Sequence, residues 1–201
     1  MNFHPLGLLG VAAAMCACAV SHVFADDKPA VPPPPSPACM SPEFRQFDFW
    51  LGEWEVRDAA GKLQGTNRIV SAHKGCALEE HWTGAGGFSG TSLNLYDAGR
   101  KQWHQTWVDS TGALLQLDGG LVEGRMVLSG ATPSANSAEG RALQRIAWTP
   151  LPDGRVRQLW ESSADGGKTW TVAFDGYYTK VSGPRATGPA GVSMPFYARL
   201  S

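Results

Sequence analysis

The feature that most constrains the fold is a series of ten short segments, each bounded by turn residues. Tryptophan and β-branched residues on the segments, with glycines at the breaks between them, are typical of an all-β protein. Nearly all connections are short enough for hairpins, and no long amphipathic helix interrupts the series. This predicts a single up-and-down antiparallel barrel, closed so that no sheet edge remains. The predicted strands cover residues 52–58, 63–72, 76–83, 90–97, 102–109, 113–119, 125–129, 142–149, 156–162 and 169–180.

The first 25 residues have the pattern of a secretory signal peptide. An uncharged apolar run over residues 6–20 is followed by small residues at Val23 and Ala25, which predicts cleavage after Ala25. The run is too short to be a good membrane span. A lipid anchor at Cys16 or Cys18 stays an alternative, although neither cysteine has the surrounding residues of a lipoprotein signal. The sequence therefore predicts a periplasmic or secreted protein.

The remaining 176 residues predict one barrel domain with two irregular flanks. Residues 26–40 are proline-rich and form a predicted polyproline tether, residues 41–180 form the barrel, and residues 181–201 are a predicted loose tail. The formal net charge of the whole chain is −1, without any basic run. This argues against nucleic acid or an anionic membrane surface as the main partner.

Two cysteines, Cys39 and Cys76, remain once the signal peptide is removed. A pair of cysteines in an exported protein favours a disulfide over two free thiols. The 36 residues between them give a loop-entropy stabilisation of about 3–4 kcal/mol if the bond forms. A metal site is not favoured, because two isolated cysteines without a neighbouring histidine pair supply too few ligands.

The stretch FDFWLGEWEV, residues 47–56, predicts the start of the barrel. Period-two alternation begins at Gly52, where a glycine allows another backbone to approach closely, and Trp54 is placed to plug the interior. Before it, Ser41 and Pro42 are typical of a helix start. We therefore expect a helix of about two turns over residues 41–47 that closes one end of the barrel.

Four segments carry a resemblance to a known superfamily: FDFWLGEWEV at 47–56, GCALEEHW at 75–82, WHQTWVD at 103–109 and QLWESS at 158–163. Over residues 41–180 the chain resembles the calycins (lipocalins, fatty-acid-binding proteins and nitrobindin-like barrels), and within them an uncharacterised bacterial family of exported calycin-like, lipocalin-like barrels. The resemblance implies a lumen open at one end and a basic residue from the last strand packed on Trp54, for which Lys180 is the candidate. A nitrobindin-like haem site requires a histidine on a late strand, and the last histidine here is His104. No cofactor is therefore expected.

Tryptophans recur on the predicted strands with polar residues two positions away on the same face. A purely structural interior favours Leu, Val and Ile there, because a buried amide or carboxylate without a partner costs about 1–3 kcal/mol. The pattern indicates a polar, aromatic-walled lumen that binds an unknown small molecule. The alternative is a filled barrel in which the amides satisfy the indoles and one another. The predicted ligand-binding residues are Glu80, Trp82, Trp103, Gln105, Trp107, Gln158 and Trp160.

In an up-and-down barrel, successive turns lie at alternate ends, and this predicts where the lumen opens. If the first strand leaves the helix end, the turns after the odd-numbered strands all lie at the opposite end. The turns at residues 84–87, 110–112 and 165–167 then form the mouth, and Trp82, Trp107 and Trp160 ring it. We expect residues 85–87, which lack bulky side chains, to be its most mobile part.

Two further functions compete with ligand binding. Glu79, Glu80 and His81, together with His73 and His104, are the only candidates for metal or proton-transfer chemistry. A hydrolase or isomerase would use Glu79, Glu80, His81 and His104, although surface charges on a strand are the favoured interpretation. A structural or protein-binding barrel is the other alternative. The Ser163–Trp170 segment resembles an Asp-box, which we interpret as a turn. The sequence has no nucleophile elbow, phosphate-binding loop or dinucleotide fingerprint, so no catalytic residue is assigned.

Overall fold

The computed structural model describes residues 39–181 as a closed barrel of ten antiparallel strands. Each strand pairs with its neighbours in sequence, and β1 pairs with β10 to close the barrel. The predicted all-β up-and-down barrel is confirmed. The strands are β1 (Gly52–Arg57), β2 (Leu63–Ala72), β3 (Ala77–Gly84), β4 (Ser89–Asp97), β5 (Gln102–Asp109), β6 (Leu114–Val122), β7 (Arg125–Pro133), β8 (Arg141–Pro150), β9 (Val156–Ser163) and β10 (Thr171–Lys180).

The largest departures from the predicted strand limits are at β6 and β7, both of which extend further than expected. Glycines interpreted as strand ends lie inside these strands, where the backbones of β6 and β7 come very close. A Cβ atom at Gly119 would lie 2.2 Å from the carbonyl oxygen of Val127, and one at Gly130 would lie 2.2 Å from that of Gln116. These glycines therefore permit close contact between strands instead of ending them.

The segment before β1 forms two short 3₁₀ helices, Pro42–Arg45 and Asp48–Trp50, and not the single two-turn helix expected. The break falls at Phe47, whose ψ of 5° is not helical. The hydroxyl of Ser41 donates to the carboxylate of Glu43 (2.5 Å) and does not cap a backbone amide. Because the chain changes direction at Phe47, both Phe47 and Trp50 point into the barrel, where each is fully buried.

Aromatic rings fill the end of the barrel next to these helices, which we call the closed half. The ring of Phe47 stacks on Trp50 at a centroid distance of 4.9 Å and meets the edges of Trp103 (5.6 Å) and Trp148 (5.2 Å). The indole N–H of Trp54 donates to the carbonyl oxygen of Trp50 at 2.9 Å. This packing closes one end, as the sequence predicts.

Lys180 lies where the resemblance places a basic residue. It pairs with Trp54 across β1 and β10, and its Nζ lies 5.1 Å from the centroid of the Trp54 ring, a cation–π contact. Gly52 makes room for the lysine: a Cβ atom there would lie 3.3 Å from Cε of Lys180, and its φ of +141° is unfavourable for other residues.

A disulfide between Cys39 and Cys76 ties the chain before the first helix to the start of β3, as predicted. The Cα atoms are 5.0 Å apart, within the normal range for such bonds. The guanidinium of Arg45 also donates to the carbonyl oxygen of Gly75 beside the bridge. At the other end of the described chain, the amide of Val181 donates to the carbonyl oxygen of Glu53 at 2.9 Å. Both ends of the described chain therefore lie at the closed half.

The predicted signal peptide, most of the predicted tether (26–40) and all but the first residue of the predicted tail lie outside the described residues. Within residues 39–181, no helix has the length and apolar character needed to cross a bilayer.

Candidate functional site

The other end of the barrel, which we call the open half, contains a cavity of about 300 Å³. Six of the seven predicted ligand-binding residues line it. The exception is Trp103, which is buried in the closed half, where its N–H donates to the side-chain oxygen of Gln46 at 3.0 Å. The cavity is lined by Gln64, Glu80, Trp82, Gly84, Ala85, Gly86, Phe88, Gln105, Trp107, Leu115, Ile146, Gln158, Trp160, Ala173, Phe174 and Tyr178.

Strand parity places the predicted residues in the cavity. On three of the five odd-numbered strands, a polar residue and a tryptophan two positions later face inward, with the tryptophan closer to the strand's end: Glu80 and Trp82 on β3, Gln105 and Trp107 on β5, and Gln158 and Trp160 on β9. The turn after β3 also borders the cavity, as predicted. The sequence therefore places an aromatic rim above a polar floor.

The rim consists of aromatic rings from five different places in the chain. Trp82 meets Phe174 edge to face at 5.9 Å, and Phe88 lies 6.4 Å from Trp107 between centroids. Trp160 is the fifth ring of the rim, and all five rings line the cavity.

The indole N–H groups of two of these tryptophans are already bonded to the protein. Trp160 donates to the side-chain oxygen of Gln144 at 2.7 Å, and Trp107 donates to the carboxylate of Asp109 at 3.1 Å. The rim therefore offers a ligand mainly the rings of these tryptophans and few hydrogen bonds.

Trp107 lies over a glycine on the neighbouring strand. A Cβ atom at Gly90 would come within 2.3 Å of Cζ2 of the Trp107 ring. Any larger residue at position 90 would displace the ring. Gly90 thus fixes where the Trp107 ring lies at the mouth.

The floor of the cavity is a hydrogen-bonded network centred on Glu80, whose side chain is almost fully buried. The Glu80 carboxylate accepts from Nδ2 of Asn67 at 2.7 Å and from the hydroxyl of Ser92 at 2.6 Å. Ser92 in turn accepts from Nδ2 of Asn94 at 2.8 Å, and Oδ1 of Asn94 accepts from Nε2 of Gln105 at 2.8 Å. The network provides hydrogen-bond partners for many of the polar groups of the floor, and the space above them remains open.

Tyr178, from β10, joins the floor on the opposite side. Its hydroxyl donates to the side-chain oxygen of Gln158 and accepts a long bond of 3.4 Å from Nδ2 of Asn67. Burial raises the pKa of Tyr178 well above its usual value, and the nearby Glu80 carboxylate raises it further. The phenol is therefore neutral at physiological pH and acts as a hydrogen-bonding group.

Glu80 is the electrostatic centre of the site. Burial raises its pKa to about 7, although the hydrogen bonds from Ser92 and Asn67 favour its charged form. The lining of the cavity, within the described chain, includes no Lys, Arg or His side chain. Glu80 consequently changes its charge near physiological pH in surroundings that hold no opposing charge.

Several members of the site were not recognised from the sequence. Asn67, Ser92, Asn94 and Tyr178 lack a tryptophan two positions away, which is the pattern that predicts Glu80, Gln105 and Gln158 as site residues. Polar residues at inward positions of β2 and β4 were a usable signal. Their significance depends on register, which places Ile69 opposite Glu80 and Glu80 opposite Ser92.

The residues proposed for acid–base chemistry are not brought together. Glu79 and His81 form a pair at 3.2 Å (Nε2 to Oε1) on the outer face of β3, opposite in direction to Glu80. His104 lies on the outer face of β5, with Nδ1 2.8 Å from Asp118 and Nε2 2.8 Å from Thr106. A hydrolase or isomerase built from Glu79, Glu80, His81 and His104 therefore has no common site in this barrel.

Asp118, His104 and Thr106 are hydrogen-bonded in the order of a charge-relay triad. Among the described residues, no group of backbone amides is placed beside Thr106 to form an oxyanion hole. Thr106 lies within β5, so neighbouring backbone amides take part in the sheet ladders with β4 and β6 and are not grouped to bind an oxyanion. Arg100 also contacts Asp118 at 3.0 Å. We interpret the cluster as outer-surface polar pairing.

Metal ligands do not converge either. Within residues 39–181, no group of three or more His, Cys, Asp or Glu side chains is arranged to hold a metal ion.

The Asp-box-like segment is a turn, as interpreted from its sequence. Asp165 accepts from the hydroxyls of Ser163 (2.8 Å) and Thr169 (2.6 Å) and from the amide of Thr169 (2.9 Å). These bonds lower the pKa of Asp165 far below its usual value. Trp170 packs beneath the guanidinium of Arg145 at 4.2 Å on the outer surface. The segment shapes the hairpin between β9 and β10.

The sequence matches no protein-family model and no curated protein sequence.

Proposed function

We propose that this protein is a small-ligand-binding barrel whose site is the cavity of the open half. The observation that carries the proposal is the combination of empty space and lining: a cavity of about 300 Å³ with an aromatic rim and a hydrogen-bonding floor. This volume lies at the lower end of the range for small-molecule sites, so a ligand of one or two rings is the right size.

The packing of the two halves supports binding over a purely structural role. The closed half shows that this chain fills an interior with large side chains where stability requires it. In the open half, three other tryptophans, Trp82, Trp107 and Trp160, surround open space. Burying Glu80, Asn67 and Gln105 beneath that space costs desolvation free energy that an apolar filling would avoid. A binding site offers a reason for that cost.

We also propose that the protein functions in an oxidising compartment outside the cytoplasm. The Cys39–Cys76 bridge supports this, because structural disulfides persist in such compartments. The predicted signal peptide supports export, and the resemblance to exported calycin-like barrels agrees with both. Mass spectrometry of the protein recovered from its native host under non-reducing conditions tests this, because export predicts a chain that begins at Asp26 with no free thiol. A chain that begins at Met1 with both thiols free would contradict it.

Trp107→Ala tests the binding proposal. Screening one- and two-ring aromatic compounds against the full chain should find compounds that quench tryptophan fluorescence. The Trp107→Ala variant should lose that response and keep nearly the same melting temperature, because the Trp107 ring lies at the rim and not in the closed half. Trp170→Ala is the matched control, since it removes a tryptophan from the outer surface.

The quenching response should survive Trp170→Ala. If Trp107→Ala instead unfolds the domain, the ring is a core element and the binding proposal loses its main support. If no compound quenches the parent protein, the cavity is not a site for ligands of this size.

A further inference from the structure

The cavity lining contains an acidic side chain and, among the described residues, no basic one. Glu80 is the only acidic residue that lines it, and Lys, Arg and His are missing from its lining among residues 39–181. The partners of the Glu80 carboxylate, Asn67 and Ser92, are both neutral donors. The carboxylate is thus hydrogen-bonded but not neutralised by the described protein.

We propose that the cavity binds a small organic cation, a protonated amine on an aromatic or aliphatic skeleton, with its ammonium group facing Glu80 and its skeleton against the aromatic rim. This rests on the proposed binding function and specifies its ligand class. It follows from the position of Glu80 on the cavity floor and from the absence of any basic side chain in the described lining.

An ammonium group supplies what Glu80 lacks. A buried carboxylate that has neutral partners only is costly, and a cation within a few ångströms offsets its desolvation when further hydrogen bonds are made. A carboxylate can accept about four hydrogen bonds, and Glu80 accepts two. The side chains of Gln105 and Gln158 line the same floor and offer further polar contacts.

The rim favours the same ligand. Trp82, Trp107 and Trp160 present indole rings, the best side chains for contact with a cation. The N–H groups of Trp107 and Trp160 are bonded to Asp109 and Gln144, so they are not free to bind an anion. An anionic ligand would meet the Glu80 carboxylate with no described cation to balance it, and a neutral one would leave that charge unchanged.

Binding of a cation should depend on the protonation of Glu80. The groups that face Glu80 are Asn67 from β2, Ser92 from β4 and Tyr178 from β10, and none of them is a cation. The pKa of Glu80 is about 7 without ligand. An ammonium ion favours the carboxylate, so cation affinity should fall as the pH drops through this value.

Three probes of similar shape test the proposal: phenethylamine, 2-phenylethanol and 3-phenylpropionate. Calorimetric titration of the full chain at about pH 8 should show phenethylamine binding at least about tenfold more tightly than 2-phenylethanol, with 3-phenylpropionate weakest. At about pH 6 the preference for the amine over the alcohol should shrink several-fold, although an alkyl amine stays protonated at both pH values.

Glu80→Gln should remove the preference for the amine and retain binding of the alcohol. Glu79→Gln is the matched control, the same change one position away on the outer face. It should leave the tenfold preference intact. If Glu80→Gln does not fold, the pH series on the parent protein decides, because it needs no substitution.

The outcomes separate the two proposals. If the alcohol or the propionate binds as tightly as the amine at about pH 8, the cation proposal is overturned and the binding function stands. A preference for the amine that is independent of pH, or that survives Glu80→Gln, also overturns it. If none of the three probes binds, both proposals fail for ligands of this size.

Discussion

The closed and open halves of the barrel use the same residue types for different purposes. In the closed half, Trp50, Trp54, Trp103 and Trp148 are at most 1% exposed and pack on one another or on Phe47. In the open half, Trp82, Trp107 and Trp160 are only partly buried and surround a cavity. Both sets face inward, and they differ in their position along the barrel axis: Trp54, Trp103 and Trp148 lie on strands at the closed end, where Trp50 from the second 3₁₀ helix joins them.

Among the described residues, both halves bury some polar groups without a partner. The indole nitrogens of Trp50 and Trp148 are buried without a hydrogen-bond partner within the described chain, a cost of about 1–3 kcal/mol each. Trp107 and Trp160 both have partners for theirs. Trp54 and Trp103 in the closed half also donate theirs, and Oδ1 of Asn67 in the open half is buried without a partner within the described chain. The halves therefore differ in how fully their interior is filled, while each contains both satisfied and unsatisfied polar groups.

The largest expected effect is the loss of stability on replacing Trp148, which we compare with the same replacement of Trp160 on the adjacent strand. Trp148→Ala, in the closed half, should lower the free energy of unfolding by about 3–5 kcal/mol, because it leaves a cavity among Phe47 and Trp50. Trp160→Ala should cost less than about half as much, since its ring already borders open space. Urea unfolding followed by circular dichroism measures both. Equal losses would show that the two halves form one continuous core.

Removal of the disulfide should have the next largest effect. Replacing both Cys39 and Cys76 by Ser should lower the free energy of unfolding by about 3–4 kcal/mol, because the unfolded chain gains the freedom of a long loop. The bridge lies at the closed half, so probe affinity at the open half should not change. Unfolding and titration of the double variant, compared with the parent, test both statements. A loss of affinity in a folded double variant would show that the two halves are coupled.

A smaller effect is expected from the Glu80 carboxyl group as the pH changes. Its pKa is about 7 in the folded protein against 4.5 for an ordinary glutamate. Between these values the unfolded chain releases a proton that the folded chain retains, so the free energy of unfolding falls as pH rises through this window and levels off above it. The loss should be on the order of 3 kcal/mol.

Glu80→Gln should remove this fall, which urea unfolding at a series of pH values would reveal. Glu79→Gln serves again as the control and should retain it. A parent protein whose stability stays constant between pH 4.5 and 7 would contradict the raised pKa of Glu80.

The sequence predicts the fold well because turn residues mark nearly every strand end. Gly-containing turns fix the number of strands, and hairpin length fixes their order. Parity then places Trp82, Trp107 and Trp160 at the same end of the barrel. These conclusions need only local sequence and the antiparallel meander.

The misplaced details depend on long-range packing. Trp103 alternates with Gln105 and Trp107 in the same pattern. It lies two residues closer to the start of β5 than Gln105, however, and therefore falls in the closed half, where it packs on Phe47. The direction of the chain at Phe47 is set by the fit of its ring between Trp50 and Trp103, which no local preference encodes. Likewise, the network of Glu80 arises from register across three strands.

The position of the two chain ends determines how the barrel is presented. Cys39 is tied to the start of β3 and Val181 to the start of β1, so both ends of the described domain leave the pole opposite the cavity. A surface, tag or fused domain joined at either end is therefore attached at the far side of the barrel from the site. The described domain can therefore be immobilised beside Cys39 or Val181 without an attachment point at the mouth.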